Sequence, residues 1–130
     1  MTMSPFCGEK FVKSIRHDGL NVGMVCVPGK RGLVIYRGWI WLTLDKNAAN
    51  QSWATRILIP YSRTAWRVTV DIPDSYLHRL FDRKMLQGMI PGSGALFDGW
   101  PGNESWRVYH GTIPPSWITE ITRTDQEGAR

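Results

Sequence analysis

The sequence predicts an α+β fold, a mainly antiparallel sheet or a partly open barrel of about six strands, on three observations. Short apolar runs separated by turn residues follow one another from residue 20 to residue 72. One amphipathic stretch over 74–87 carries helix signals at both ends. Two more strand-like runs come after it. Neither an internal repeat nor a linker divides the 130 residues, so 1–122 is expected to be a single domain with a polar tail over 123–130.

Taken in order, Ser4 and Pro5 make a cap and first-turn pair, and Phe11, Val12 and Ile15 stand at helical spacing before Gly19. That predicts a short N-terminal helix, weakened by Gly8. Residues 20–27 and 33–44 read as strands around the turn residues Pro28, Gly29, Lys30, Arg31 and Gly32. Gly38 interrupts the second run, and a glycine inside a strand pattern marks a bulge or a sharp bend. After the polar loop 45–52, runs 53–59 and 64–72 flank Pro60, Tyr61, Ser62 and Arg63, a connection short enough for a hairpin. Their alternation puts Trp53, Ile57, Ile59, Trp66, Val68 and Val70 on a core face, and Arg56, Leu58, Arg67 and Thr69 on the other.

In the 74–87 stretch Pro73 and Asp74 open the helix, Gly88 follows its end, and Leu77, Leu80, Phe81 and Met85 form an apolar stripe. The glycine-rich residues 88–103 make a long loop, and 105–113 and 117–122 are the last strands. In topology alone, three strands, a helix and two strands resemble an OB-type barrel.

Composition narrows the class. A hydrophobic content of 42% is enough for a real core, and no apolar stretch approaches the roughly 18 residues of a membrane span. Two cysteines are too few for a disulfide framework. The first residues lack the charged and apolar regions of a signal peptide, so the expected location is cytoplasmic, with Cys7 and Cys26 as thiols. The net charge of +5 is unevenly placed: residues 1–70 hold ten basic and three acidic groups, and residues 71–130 hold six and eight. A positive field of that kind favours anionic partners, nucleic acid or an acidic protein surface, although charge also serves solubility.

Catalytic chemistry has little to build on. His17, His78 and His110 show no metal-ligand spacing, Cys7 and Cys26 form no Cys-x-x-Cys pair, and no catalytic residue, metal or cofactor is expected. Gly92, Ser93 and Gly94 follow a helix and lack the lysine of a phosphate-binding loop. The loop over 88–103 is longer than most in compact domains, and such loops are commonly functional. Its Phe97 and Trp100 are candidate anchors for a protein partner, against the alternative that the apolar residues pack on the core.

The most specific candidate is a basic, aromatic sheet face. A tight turn at Tyr61 and Ser62 sets Arg56 directly opposite Arg67, and like charges across a ladder repel unless an anion relieves them. Arg63, Arg37 and Arg107, with Lys30 and Arg31 at the earlier turn, extend the set. Tyr61 and Tyr109 supply rings for base stacking. The leading expectation is therefore a non-catalytic binder that engages nucleic acid through this face. An alternative is a protein-binding inhibitor or adaptor of the small accessory kind carried by phages and plasmids, using Trp, Tyr and Arg anchors. A third is a small hydrolase pairing a cysteine with a distant histidine.

Overall fold

The architecture comes from a computed structural model, which describes residues 1–7, 11–21, 23–44, 66–98 and 102–123. The elements are β1 (Thr2–Met3), β2 (Phe6–Cys7), α1 (Val12–Asp18), β3 (Met24–Gly29), β4 (Gly32–Arg37), β5 (Trp39–Thr43), β6 (Trp66–Asp71), β7 (Leu80–Phe81), α2 (Arg83–Met89), β8 (Trp106–His110) and β9 (Ile118–Arg123). The class is α+β and the pairing antiparallel, as expected. The strands form three separate sheets and no closed barrel: β1 and β2 beside β6 with β9 on its other edge, the β3–β4 ribbon, and β5-β8-β7.

The β5-β8-β7 sheet is the middle layer, because its strands are apolar on both faces. Ile40, Leu42, Tyr109 and Leu80 enter one cluster with Met3, Val68, Val70 and Ile72. Their neighbours Trp39, Trp106 and Val108, with Trp41 and Phe81 against them, enter a second cluster with Val25, Val27, Leu86, Ile90 and Phe97. Alternation along each strand thus serves two cores, since successive side chains point to opposite faces. The β6 sheet covers the first face, and β3, α2 and the 3-10 turn Ser93–Phe97 cover the second. Ser4 and Thr43 exchange both backbone bonds, at 2.9 and 3.0 Å, and so stitch the N-terminal segment to β5.

Local departures from expectation have physical causes. The 74–87 helix is broken into a 3-10 turn Asp74–Arg79, strand β7, and α2, which starts where the Asp82 carboxylate accepts from Met85 N at 2.8 Å. Leu80 and Phe81 belong to the apolar stripe, but pairing with Tyr109 and Val108 sends them to opposite cores, which a helix does not allow. Gly88 lies inside α2 and not after it. Arg67, expected opposite Arg56, pairs with Phe6 on one side and Thr122 on the other. Residues 53–59, the other half of that hairpin, lie outside the described residues. The short N-terminal helix is present as α1, and strands occupy most of the other expected runs.

Gly38 provides the sharp bend. Its φ of +84° lets the chain leave β4, which pairs only with β3 among the described strands, and enter β5 in the middle layer. Gly23 is required by proximity, since a Cβ there would lie 2.3 Å from the Trp39 carbonyl oxygen. Substitution separates the two demands. Gly38→Ala has open space and is expected to cost about 1–2 kcal/mol from its positive φ alone. Gly23→Ala is expected to cost about 1–3 kcal/mol by overpacking. Urea unfolding of both variants beside the parent checks this.

Candidate interaction surface

The β3–β4 ribbon carries the candidate surface. Gly29 pairs with Gly32 across the two-residue turn Lys30 and Arg31, and the ladder continues to Met24 opposite Arg37. Cross-strand partners share a face, so Val34 and Tyr36 lie on the side of Val27 and Val25, while Leu33, Ile35 and Arg37 lie on the side of Pro28, Cys26 and Met24. Val25 and Val27 are buried by α2 and the turn after it. The cover ends at β3. Every residue of β4 is exposed, with Leu33 at 64%, Val34 at 41%, Ile35 at 47% and Tyr36 at 39%. Met24 is also exposed, and its carbonyl accepts from Trp41 Nε1 at 3.0 Å, which pins β3 to the middle layer.

The sequence candidates separate by location. Lys30, Arg31 and Arg37 are exposed on the ribbon, with the cations at its two ends about 20 Å apart at the usual strand rise. Arg67 is half-buried in the β6 sheet. Arg107 is half-buried on β8, where Nη1 donates to the Glu104 carbonyl at 2.9 Å and to that of Trp106 at 2.7 Å, so it braces the turn before its own strand. Tyr109 is corrected outright: at 2% exposed it belongs to the first core, its ring edge-on to Trp117, and it offers no stacking platform. Arg56, Tyr61, Arg63 and Trp100 lie outside the described residues.

Phe97 is likewise corrected from partner anchor to core residue. It is 1% exposed and packs against Trp41 and Trp106. The loop around it is fastened from several sides. Gln87 Oε1 accepts from Gly92 N at 3.2 Å and Gly94 N at 2.8 Å, so those amides are engaged within the chain. Arg83 donates to the Gly94 carbonyl and pairs with Asp98, and the Asn103 amide donates to the Phe97 carbonyl. The exposed Arg79 donates to the His110 carbonyl at 3.2 Å.

Nucleophilic chemistry gains no support. Cys7 on β2 and Cys26 on β3 stand in different sheets. Burial pushes the Cys7 thiol from its ordinary 9.0 up to about 11, the opposite of nucleophile activation. His17 and Asp18 hydrogen-bond at 2.6 Å on the exposed end of α1, and His110 stacks on Trp39 at 4.1 Å. Among the described residues no group of three or more His, Cys, Asp or Glu could hold a metal, and no helix is long and apolar enough to cross a membrane.

What the sequence did not reveal is the exposure of β4, whose residues fall within the expected strand 33–44. Leu33, Val34, Ile35 and Tyr36 form an unbroken apolar run, which by pattern reads as a strand buried on both faces. The only hint was the cations closing both ends of the run. No protein-family model, curated protein or solved structure matches this chain.

Two expectations follow. Phe97→Ala should lower stability by about 3–5 kcal/mol in denaturant titration, as a core truncation does, whereas the exposed Leu33→Ala should stay within about 1 kcal/mol of the parent. For Cys7 the neutral thiol is favoured by folding, so its contribution to stability is whole below pH 9.0 and is lost as pH rises through about 11. Thermal melts between those values should therefore fall less steeply for Cys7→Ala than for the parent.

Proposed function

We propose that this chain is a non-catalytic binding protein that engages an acidic surface of a partner protein through the β3–β4 ribbon. The observation that supports the reading is β4, an apolar strand exposed along its whole length with cations at both ends. Exposed apolar patches rimmed by polar groups are characteristic of protein interaction sites. Tyr and Arg, which flank the patch as Tyr36, Arg31 and Arg37, are among the residues that dominate binding energy at such sites. The cations steer an acidic partner to the ribbon, and the apolar strand supplies the area buried on contact. An inhibitor or adaptor role fits this arrangement, with the anchor on the ribbon in place of the 88–103 loop.

Nucleic acid remains a second reading, favoured by Lys30, Arg31 and Arg37 together with the exposed ring of Tyr36. A two-stranded ribbon is one of the shapes that enter a groove. The apolar side chains between the cations favour the protein partner.

A photo-crosslinking residue at position 35 is expected to capture a discrete protein from the native host's lysate, and the same residue at position 84, on the exposed side of α2, is not. Leu33→Ser with Ile35→Ser should abolish capture while changing stability by less than about 1 kcal/mol, because both side chains are exposed. Fluorescence anisotropy with a mixed-sequence single-stranded oligonucleotide separates the readings. Salt-steep binding lost in Lys30→Ala with Arg31→Ala would carry the nucleic-acid reading in place of the protein one.

A further inference from the structure

Resting on the ribbon as the binding surface, we infer that the partner adds to it as an extended strand, hydrogen-bonded along the outer edge of β4, with an apolar centre and carboxylates near both ends. The two-residue turn makes Gly29 and Gly32 a hydrogen-bonded pair. Strict alternation then turns the backbone of Gly32, Val34 and Tyr36 toward β3, and the N–H and C=O groups of Leu33, Ile35 and Arg37 outward. The Met24 carbonyl bears this parity out: Met24 lies opposite Arg37, and its oxygen points away from β4 to Trp41 Nε1. Among the described residues β4 pairs with β3 alone.

Natural edge strands are usually blunted by an internal lysine, a proline or a bulge. Between Leu33 and Tyr36 this edge has none of them, and its ladder is unbroken. Strand addition uses such an edge, with main-chain bonds for affinity and alternate side chains for specificity. Both faces of β4 are apolar, so the added strand is apolar on both faces where it passes Val34 and Ile35. Charge selects the ends. Outward groups must meet outward groups, so a second copy pairs antiparallel either about Val34, setting Arg37 of each copy opposite Arg31 of the other, or about Ile35, setting Arg37 diagonal to Arg31; both repel at the two ends. Carboxylates at those places are attracted instead.

The test uses the full chain and a nine-residue synthetic peptide, two glutamates at each end of five alternating valines and isoleucines. Anisotropy should show saturable binding, and amide exchange at Leu33, Ile35 and Arg37 should slow at least 10-fold with peptide. N-methylation of the peptide's alternate central amides on one edge, or exchange of its glutamates for lysine, should weaken Kd at least 10-fold. In the protein, Ile35→Pro removes an outward donor without breaking a bond to β3 and should abolish binding, while Ile35→Thr retains it. If proline itself disturbs the ribbon, N-methylation of the peptide still decides. Outward β4 amides that already exchange slowly in the free monomer, or a dimer in sedimentation, would overturn the inference. So would failure of the peptide to bind at millimolar concentration. If N-methylation and Ile35→Pro leave binding unchanged while position 35 still crosslinks to a partner, strand addition fails and the ribbon reading stands. Loss of crosslinking as well would remove both.

Discussion

The two-sided burial of the β5–β8 ladder is the constraint on which the other elements depend. Five cross-strand pairs, from Trp39 with His110 to Thr43 with Trp106, place large apolar side chains alternately above and below one sheet. Each face exposes more apolar area than water tolerates, so each must be covered, and layered packing is the general solution. The β6 sheet meets the face of Ile40, Leu42 and Tyr109. Leu86, Ile90, Phe97, Val25 and Val27 meet the face of Trp39, Trp106 and Val108. The break of the expected long helix, the fastening of the 88–103 loop and the pinning of β3 are all parts of covering the second face.

That cover is narrow, and the candidate surface is its consequence. The short α2 covers β7 and β8, the turn after it reaches β3, and β4 lies beyond that cover. The positive φ of Gly38 permits the chain to pass from a strand with no cover to one with cover on both faces within two residues. A strand held on one side by β3 and, among the described residues, unpaired on the other keeps a fixed shape while presenting its backbone. Such pre-organisation lowers the ordering cost of binding. The cations stand at the ends and do not interrupt the apolar centre.

Several features were legible in the residues. Alternation and turn chemistry located α1, the β3–β4 turn at Lys30 and Arg31, the bend at Gly38 and the strands after residue 105. The basic character of the ribbon was legible too, through Lys30, Arg31 and Arg37. The burial of Tyr109 was not legible, and for Phe97 core packing stood open beside the partner-anchor reading, because neither ring reveals from sequence which layer receives it. Tyr109 neighbours the polar Arg107 and His110 in its strand, and Phe97 sits among glycines, so both resemble surface positions. The pairing of Arg67 with Phe6 and Thr122 was not legible, because it joins segments far apart in the chain, whereas sequence shows only local hairpin closure.

By itself the sequence determined the α+β class, the antiparallel tendency, the positions of turns and the segregated positive charge, all properties set within a few residues of backbone and side chain. Tertiary structure alone decided that the apolar run after the ribbon turn is exposed while the one after Gly38 is buried on both faces. The two runs have nearly the same hydrophobic pattern. Burial depends on whether another layer lies close enough to exclude water, and that is settled by distant segments: Ser4 against Thr43, Leu20 against Ile113, α2 over β7 and β8, and the turn after it over β3. The same geometry leaves an ordinary apolar strand, among the described residues, with one edge unpaired.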